Sequence, residues 1–207
     1  MAQFFQIHPV NPQPRLIRLA AQILRAGGVI AYPTDSSYAL GCHIGDAAAA
    51  KRIRDLRGVG AGHLLTLMLR DLSEIGHFAR LDTWQFRIVR KGTPGCYTFL
   101  LPATREVPRR LQHPKRSTVG VRVPEHPVVQ ALLAELREPI LSSTLILPGA
   151  SEPLNDAAAI RNALGSGLDL VIDAGACPAA PTTVVDLATA PPVITRLGAG
   201  DPARLGL

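Results

Sequence analysis

The sequence contains few cysteines and few aromatic residues, and each shortage excludes a class of protein. Its three cysteines, Cys42, Cys96 and Cys177, are widely spaced and form no Cys-x-x-Cys pair, so we expect neither a disulfide framework nor a zinc site. Aromatic residues make up only 4% of the chain, and none lies among its clustered basic residues, which argues against binding of single-stranded nucleic acid by base stacking. These shortages favour a protein of a reducing compartment, without a bound metal.

Long apolar segments are also absent. No stretch approaches the roughly 18 uninterrupted apolar residues that a membrane span requires, and the N-terminus lacks the basic start and the apolar stretch of a signal peptide. Both absences predict a soluble, cytoplasmic protein with no membrane partner. A chain of 207 residues can bury about 70% of its unfolded surface, and we expect one domain over residues 1–207.

Positive charge is in excess, with a formal net charge of +6 at pH 7. Basic residues cluster between Arg105 and Arg122, where Glu106 is the only acidic residue, and a second group lies in a predicted helix at 46–57. Clustered positive charge favours binding of phosphate groups, so we predict RNA as a partner. The candidate RNA-binding residues are Arg52, Arg54, Arg109, Arg110, Lys115 and Arg116.

The most informative segment runs from Gly27 to Cys42. Residues 29–32 are apolar enough for a strand that is buried on both faces, and Pro33, which cannot donate to a sheet, ends it. The next four residues, Thr34–Ser37, supply three hydroxyls and one carboxylate. A turn of this composition at a strand end predicts a ligand-binding edge.

Helical and strand patterns alternate along the chain. Helices are predicted from an N-cap at Asn11 to Gly27, at 46–57, 72–78, 83–91 and 127–137, and from a cap at Asn155 to Gly165. Strands are predicted at 29–32, 64–69, 97–101, 117–123, 140–143, 168–173, 182–187 and 193–197. This order predicts an α/β domain with a mixed sheet.

Three later segments complete a recognisable pattern. They are Thr93–Leu101 (T-P-G-C-Y-T-F-L-L), Gly120–Pro127 (G-V-R-V-P-E-H-P) and Pro181–Asp186 (P-T-T-V-V-D). With the opening motif they resemble, in order, the YrdC/YciO family, whose best-known members make threonylcarbamoyl-adenylate for tRNA modification. The opening residues 4–9 and the strand at 66–68 resemble the YciO branch more than the adenylate synthases.

The resemblance implies both a fold and a set of binding residues. The fold is a single α/β domain with a twisted, open sheet of parallel and antiparallel strands, flanked by helices around a basic concave cleft (YrdC/RibB-like). The candidate substrate- and nucleotide-binding residues are Thr34, Ser36, Tyr38, Arg57, His63, Thr98, Arg122, Ser142, Thr144 and Thr182. We predict no catalytic residue from the sequence.

Four of these candidates have alternative interpretations. Arg122, at a strand end, is a guanidinium suited to a carboxylate or phosphate, and the family uses this position to hold its amino-acid substrate; the alternative is a surface arginine paired with Glu125 or Glu106. Thr34 and Ser36 could donate hydroxyl hydrogen bonds to an anion, or they could satisfy their own turn. His63, the best titratable candidate, is alternatively a histidine of a surface loop.

Two departures from the family pattern make full synthase activity doubtful. Adenylate-forming members carry Lys-x-Arg where this chain has Arg57-Gly58-Val59, and Ser-x-Asn where it has Thr144-Leu145-Ile146. One charged and one polar contact are thereby lost, and such contacts contribute about 1.5 to 3 kcal/mol each.

The sequence therefore predicts a YciO-type protein that binds RNA, either tRNA or double-stranded RNA, over a basic concave surface with a nucleotide-type cleft. The alternative is an enzyme of threonylcarbamoyladenosine metabolism, either a threonylcarbamoyl-AMP synthase-like nucleotidyltransferase or an activity on the modified tRNA. A third hypothesis is a binding module without chemistry. The resemblance implies a nucleotide, ATP or AMP with Mg²⁺, and L-threonine as small-molecule partners, and we expect no tightly bound cofactor.

Overall fold

The computed structural model describes residues 2–207. Its ten strands are β1 (Gln3–Gln6), β2 (Ile30–Tyr32), β3 (Ala39–His43), β4 (Thr66–Met68), β5 (Tyr97–Pro102), β6 (Thr118–Arg122), β7 (Ile140–Thr144), β8 (Leu170–Asp173), β9 (Thr183–Asp186) and β10 (Val193–Arg196). Its seven α-helices are α1 (Pro14–Arg25), α2 (Ala47–Arg57), α3 (Leu72–Phe78), α4 (Thr83–Gly92), α5 (Pro127–Leu136), α6 (Ala157–Leu164) and α7 (Pro202–Leu205). None of these helices is both long enough and apolar enough to cross a membrane.

The strands form one sheet in the order β1-β8-β2-β3-β7-β4-β6-β5-β9-β10. Parallel pairs such as β1 with β8 and β5 with β9 occur beside antiparallel pairs such as β3 with β7 and β5 with β6. The predicted fold class, an α/β fold with an open mixed sheet flanked by helices, is confirmed. β1 and β10 form the two edges.

One face of the sheet packs against five helices. Leu67, Val121 and Phe99 lie opposite one another on β4, β6 and β5, so their side chains share this face. They form one buried cluster with apolar residues of α2, α3, α4, α6 and α7.

The opposite face is covered over only part of its width. The buried residues of α1 recur at helical spacing, from Ile17 through Ala20 and Ala21 to Leu24, and give the helix one apolar side. This side packs with α5 against β8, β2 and β3, which we call the covered half. The cluster ends at Met68 of β4, and the rest of this face, the open half, borders a cavity.

The structure differs from the predicted elements at several points. β1 and β3 were not predicted, because each is short and has no alternating pattern of its own; each forms only by pairing with β8 or with β2 and β7. α1 begins at Pro14 rather than near residue 12, because His8 Nδ1 accepts from the backbone N–H groups of Val10 and Asn11 and holds these residues in a turn. The cap of α6 is Asp156, whose carboxylate accepts from Ala159 N, rather than Asn155.

Candidate binding cleft

The open half of the sheet forms the floor of a cavity of about 190 Å³. Ser142 of β7 lies opposite Thr66 of β4, and Thr66 lies opposite Gly120 of β6. A Cβ at Gly120 would lie 3.3 Å from Thr66 Oγ1. Glycine at this position therefore leaves space in the cavity that a side chain would fill. The lining residues include Arg57, His63, Thr66, Thr98, Arg122, Ser142, Ser143, Thr144, Ile146, Thr182 and Arg196. We call this cavity the cleft.

Arg122 is the buried basic residue of the cleft. Its side chain is 6% exposed and forms an ion pair with Asp35, which is 10% exposed. The alternative prediction, a surface arginine paired with Glu125 or Glu106, is therefore wrong. The Nε of Arg122 is buried without a hydrogen-bond acceptor among the described residues, and an acceptor on a ligand would satisfy it.

The turn after β2 places its hydroxyls beside Arg122. Thr34 Oγ1 lies 3.4 Å from a terminal nitrogen of Arg122, donates its proton to Ser37 O at 2.7 Å, and accepts from the backbone N–H of Ser36 at 3.1 Å. Because a threonine hydroxyl has one proton, Thr34 cannot donate to an anion while this turn is intact. The alternative interpretation, a self-satisfied turn, therefore describes Thr34, and Ser36 Oγ lies 3.2 Å from Thr34 Oγ1 within the same turn.

Arg57, Ser143 and His63 form a connected group on one wall. Arg57 donates to Ser143 Oγ at 2.5 Å and to Ile146 O at 3.1 Å, and Ser143 Oγ lies 3.5 Å from His63 Nε2. Burial lowers the pKa of His63 below its ordinary value, and repulsion from Arg57 and two further arginines lowers it more. The His63 ring is therefore neutral at pH 7 and can accept a proton.

Arg196 is a cleft residue that the sequence analysis missed. It ends β10, lies opposite Val184 of β9, and donates to Thr182 O and Thr182 Oγ1, each at 3.0 Å. Arg196 as a whole is exposed, but partial desolvation of its guanidinium, followed by repulsion from Arg122, lowers its pKa. Pairing the predicted strands 182–187 and 193–197 as a hairpin would have placed it beside Thr182.

The cleft also contains hydroxyls that are already engaged. Ser142 Oγ donates to Leu40 O at 3.1 Å, so the Tyr32 hydroxyl, 2.7 Å away, is the donor of the pair that they share. Thr98 Oγ1 and Thr182 Oγ1 lie 2.9 Å apart. These bonds orient the floor of the cleft.

The cleft unites most of the predicted binding residues. Seven line it directly: Arg57, His63, Thr98, Arg122, Ser142, Thr144 and Thr182. Thr34 and Ser36 adjoin it through Arg122. Tyr38 does not belong to the cleft: it packs in the cluster on the other face of the sheet, and its hydroxyl donates to Gly175 O at 3.1 Å.

None of the six candidate RNA-binding residues lines the cleft. Several hold backbone in place: Arg52 donates to Gly167 O and pairs with Asp169, and Arg54 donates to His63 O. Arg110 donates to the carbonyls at the end of β3, and Arg116 pairs with Asp186 at 2.5 Å.

The basic segment, residues 105–116, and the cleft lie at opposite ends of β6. The segment is the connection between the antiparallel strands β5 and β6, whereas Arg122 ends β6 at the other side. Arg122 lies four residue steps along the strand from Thr118, which corresponds to about 14 Å. The cleft and the basic segment are therefore separate parts of the surface, rather than one continuous concave face.

Cys96 contacts the acidic partner of Arg122. Its thiol lies 3.3 Å from a carboxylate oxygen of Asp35. Burial, and next the Asp35 charge, raises the pKa of Cys96 to about 12. Cys96 is therefore a protonated thiol at neutral pH, and we assign it no nucleophilic role.

Comparison with known proteins identifies the family and the fold of this chain. The model of the Sua5/YciO/YrdC family, described as "Telomere recombination", matches residues 22–198. YciO of Escherichia coli K12 is 51% identical over 201 residues, which cover 97% of this chain and 98% of that protein. The crystal structure of E. coli YciO, at 50% identity, superposes with a TM-score of 0.96 and covers 99% of this chain and 100% of that chain.

Two more distant relatives have named activities or ligands. The threonylcarbamoyl-AMP synthase of Nitrosococcus oceani is 35% identical over 157 residues, covering 75% of this chain and 84% of the synthase. The crystal structure of P. abyssi Sua5 complexed with L-threonine superposes with a TM-score of 0.85 at 27% identity, covering 94% of this chain and 57% of that one. The chain therefore belongs to the Sua5/YciO/YrdC family, in the YciO branch that its sequence predicts.

Proposed function

We propose that this protein binds RNA, either tRNA or double-stranded RNA, and that its cleft receives a nucleotide-type anionic group of that RNA. The observation that carries the proposal is the positive charge of the cleft. Three guanidinium groups, those of Arg57, Arg122 and Arg196, line a small cavity, and one of them has a buried Nε without an acceptor.

The arginines repel one another without a ligand. Burial, and next repulsion from Arg196, lowers the pKa of Arg57, and Arg122 acts on Arg196 in the same way. Asp35 balances only Arg122. An anion between these groups would relieve the repulsion and gain charge-assisted hydrogen bonds.

The size of the cleft supports a small ligand group. Sites for drug-sized molecules enclose about 300 to 1,000 Å³, whereas the cleft encloses about 190 Å³. An amino-acid-sized or ribose-phosphate-sized group fits this volume, with the remainder of a nucleotide outside it. The threonylcarbamoyl group of a modified adenosine meets both requirements, because it carries a carboxylate and a threonine-sized body.

The relatives support the same chemical class. P. abyssi Sua5 is complexed with L-threonine, and threonylcarbamoyl-AMP synthases are 32–36% identical to this chain. The net charge of +6 supports an extended polyanion as the carrier of the group. Free AMP, ATP with Mg²⁺ and L-threonine are the small molecules that we propose as probes of the cleft.

Binding to two forms of one tRNA tests the proposal. The affinity for tRNA that carries threonylcarbamoyladenosine should exceed that for the same tRNA without it. Arg196→Gln should abolish this preference, whereas the exposed Arg87→Gln on α4 should retain it. Equal affinity of the natural protein for the two tRNAs, or an affinity that does not change with salt concentration, would contradict the proposal.

A second candidate function is catalysis on the modified tRNA. The group formed by His63, Ser143 and Arg57 favours it, because a neutral imidazole lies 3.5 Å from a hydroxyl that also accepts from a guanidinium. Such an imidazole can take a proton from water as the water oxygen attacks the carbamoyl carbonyl carbon, and return it to adenosine N6 as the bond between that carbon and N6 breaks, which leaves the unmodified adenosine and an N-carboxythreonine.

Loss of the modification from tRNA tests the second candidate. The modified nucleoside should disappear during incubation with the natural protein and persist with His63→Asn, as measured by mass spectrometry of digested tRNA. The exposed His77→Asn on α3 serves as the matched control and should retain turnover. Persistence of the modification with the natural protein would refute catalysis and leave RNA binding as the remaining candidate function.

A further inference from the structure

A second cavity lies at the far end of β5 and β6 from the cleft. It encloses about 560 Å³ between the α3–α4 linker, the end of β5 and the β5–β6 connection. Arg80, Arg105 and Arg109 line it, and no carboxylate does. Glu106 lies in the same connection but not in the lining. We call this cavity the distal cavity.

The chain around the distal cavity is held in place by its own contacts. Val107 and Leu111 are buried at 1% and 2% exposure. Arg110 donates to Gly45 O at 2.9 Å, and Arg116 pairs with Asp186. Two arginines thus fix the connection to the turn after β3 and to β9, so little of its backbone remains to be ordered when a ligand binds.

The lining arginines are free to bind. No hydrogen bond or ion pair with residues 2–207 engages the guanidinium groups of Arg80, Arg105 or Arg109. His113 adds a further donor: its Nδ1 accepts the backbone N–H groups of Lys115 and Arg116 at 3.3 and 3.1 Å, so the ring proton resides on Nε2.

We propose that the distal cavity binds phosphate groups of an RNA backbone. This inference rests on the RNA-binding function proposed above and gives it a second contact surface. Guanidinium groups bind phosphate through paired hydrogen bonds, and RNA helices are recognised mainly through phosphates and sugars.

The surroundings of the distal cavity favour RNA over a lipid surface. Within residues 2–207, the large apolar side chains that are exposed all lie elsewhere: Val10, Leu19, Phe86, Val193, Ile194, Leu197 and Leu207. Membrane-surface binding needs apolar side chains that enter the bilayer as well as charge. The distal cavity therefore offers positive charge but no exposed apolar side chain that would enter a bilayer.

The separation of the two cavities suits an RNA ligand. The start of β6 lies about 14 Å from Arg122. Phosphates follow one another every few ångströms along a nucleic-acid strand, so a short run of them spans this distance. One RNA is therefore long enough to reach both the distal cavity and the cleft.

A triple variant tests the inference. Arg80→Ala, Arg105→Ala and Arg109→Ala are combined, and binding to unmodified tRNA and to a duplex RNA is measured across a range of salt concentrations. Affinity at low salt should fall tenfold or more, and the slope of log affinity against log salt should decrease by about 2 to 3, because each phosphate contact contributes about 0.7 to 0.9.

The control is a triple variant that loses the same three positive charges from a different part of the surface. Arg15 and Arg18 on α1 and Arg87 on α4 are exposed and line neither cavity. The combined Arg15→Ala, Arg18→Ala, Arg87→Ala variant should retain nearly natural affinity and slope. Thermal unfolding confirms that both triple variants are folded.

The possible results separate the two proposals. If the natural protein binds RNA and the Arg80 triple variant binds it equally, or if the control loses as much, the distal cavity is not the contact and the inference is overturned. RNA binding that requires the distal arginines, without any preference for the modified tRNA, would support the inference. The same result would refute the proposal that the cleft receives the threonylcarbamoyl group. Failure of the natural protein to bind RNA would overturn both.

Discussion

The covered and open halves of one sheet face show how the same scaffold serves stability and binding. In the covered half, Ile30 and Leu170 are fully buried under α1 and α5. In the open half, the corresponding face carries small hydroxyl residues such as Thr66, Thr98 and Ser142. The boundary is sharp, because Ile140 and Ser142 stand two residues apart on β7.

The two halves differ in what their side chains contribute. Burial of an aliphatic side chain stabilises the folded chain by about 1.5 to 3 kcal/mol. Hydroxyls that border a cavity bury little apolar surface, and their hydrogen bonds contribute about 0.5 to 1.5 kcal/mol each. We therefore expect substitutions in the covered half to affect mainly folding, and substitutions in the open half to affect mainly ligand binding.

The largest effect is expected from adding polar groups at Ile146, which lines the cleft, and at Val59, two residues after the cleft residue Arg57. Val59→Arg with Ile146→Asn restores the family's synthase-like residues, and two charged or polar contacts together correspond to about two to four powers of ten in rate. Pyrophosphate release from ATP, with L-threonine and bicarbonate, should increase by this factor over the natural chain. Equal rates for the two proteins would show that these side chains do not control adenylation.

Removal of Arg122 should lower the stability of the fold although this residue lies in the open half, because its guanidinium neutralises the buried Asp35 carboxylate. Arg122→Ala leaves the Asp35 carboxylate buried without its partner, and loss of one member of a buried pair costs about 3 to 5 kcal/mol. Urea unfolding measures the loss, and Asp35→Asn in the same background should recover part of it. A loss below about 1 kcal/mol would show that Asp35 is solvated.

A pair of alanine variants compares the halves directly. Leu132→Ala, in fully buried α5 packing, should lower the free energy of unfolding by about 2 to 5 kcal/mol. Thr66→Ala, on the cleft floor, should lower it by less than about 1 kcal/mol while weakening ligand binding. Similar losses of stability in the two variants would refute the distinction.

The smallest effect is expected in the pH dependence of stability. The folded chain holds the pKa of His63 below its ordinary value of 6.5, so below pH 6.5 the unfolded chain binds more protons than the folded one. Stability should therefore decrease as the pH falls from about 6.5 through the lower folded pKa. His63→Gln should make this decrease shallower in urea unfolding between pH 5 and 8.

His126 should contribute with the same sign. Burial lowers the pKa of His126 as well, so His126→Gln should remove a further part of the decrease, and the double variant should remove more than either single change. An unchanged pH profile in His63→Gln would mean that His63 titrates alike in the folded and unfolded chains.

The sequence predicted the parts of the fold that local patterns govern. The apolar stripe of α5 located this helix within one residue of its bounds. β3 was missed, because it is stabilised by its two neighbouring strands rather than by its own five residues. The mixed sheet followed from the order of elements, whereas its strand order depends on long-range pairing.

The residues of the candidate site likewise divide into those that a local sequence motif identified and those that depend on long-range strand pairing. Residues in contiguous motifs, such as Thr98, Arg122 and Thr182, were identified because the segments around them resemble the motifs of the YrdC/YciO family. Arg196 was missed, because it reaches the cleft only through the register of β9 with β10. Tyr38 was misplaced, because an unrecognised strand reverses the direction of alternate side chains.

The position of Arg196 links the charge of the cleft to the edge of the sheet. β10 pairs with β9 alone, and all four of its residues are exposed. Edge segments with few buried contacts open locally at a far lower free energy than the core. Fraying of one hairpin would therefore withdraw one of three guanidinium groups while the remainder of the molecule stays folded, so the affinity of the cleft for anions becomes a property of local opening as well as of composition.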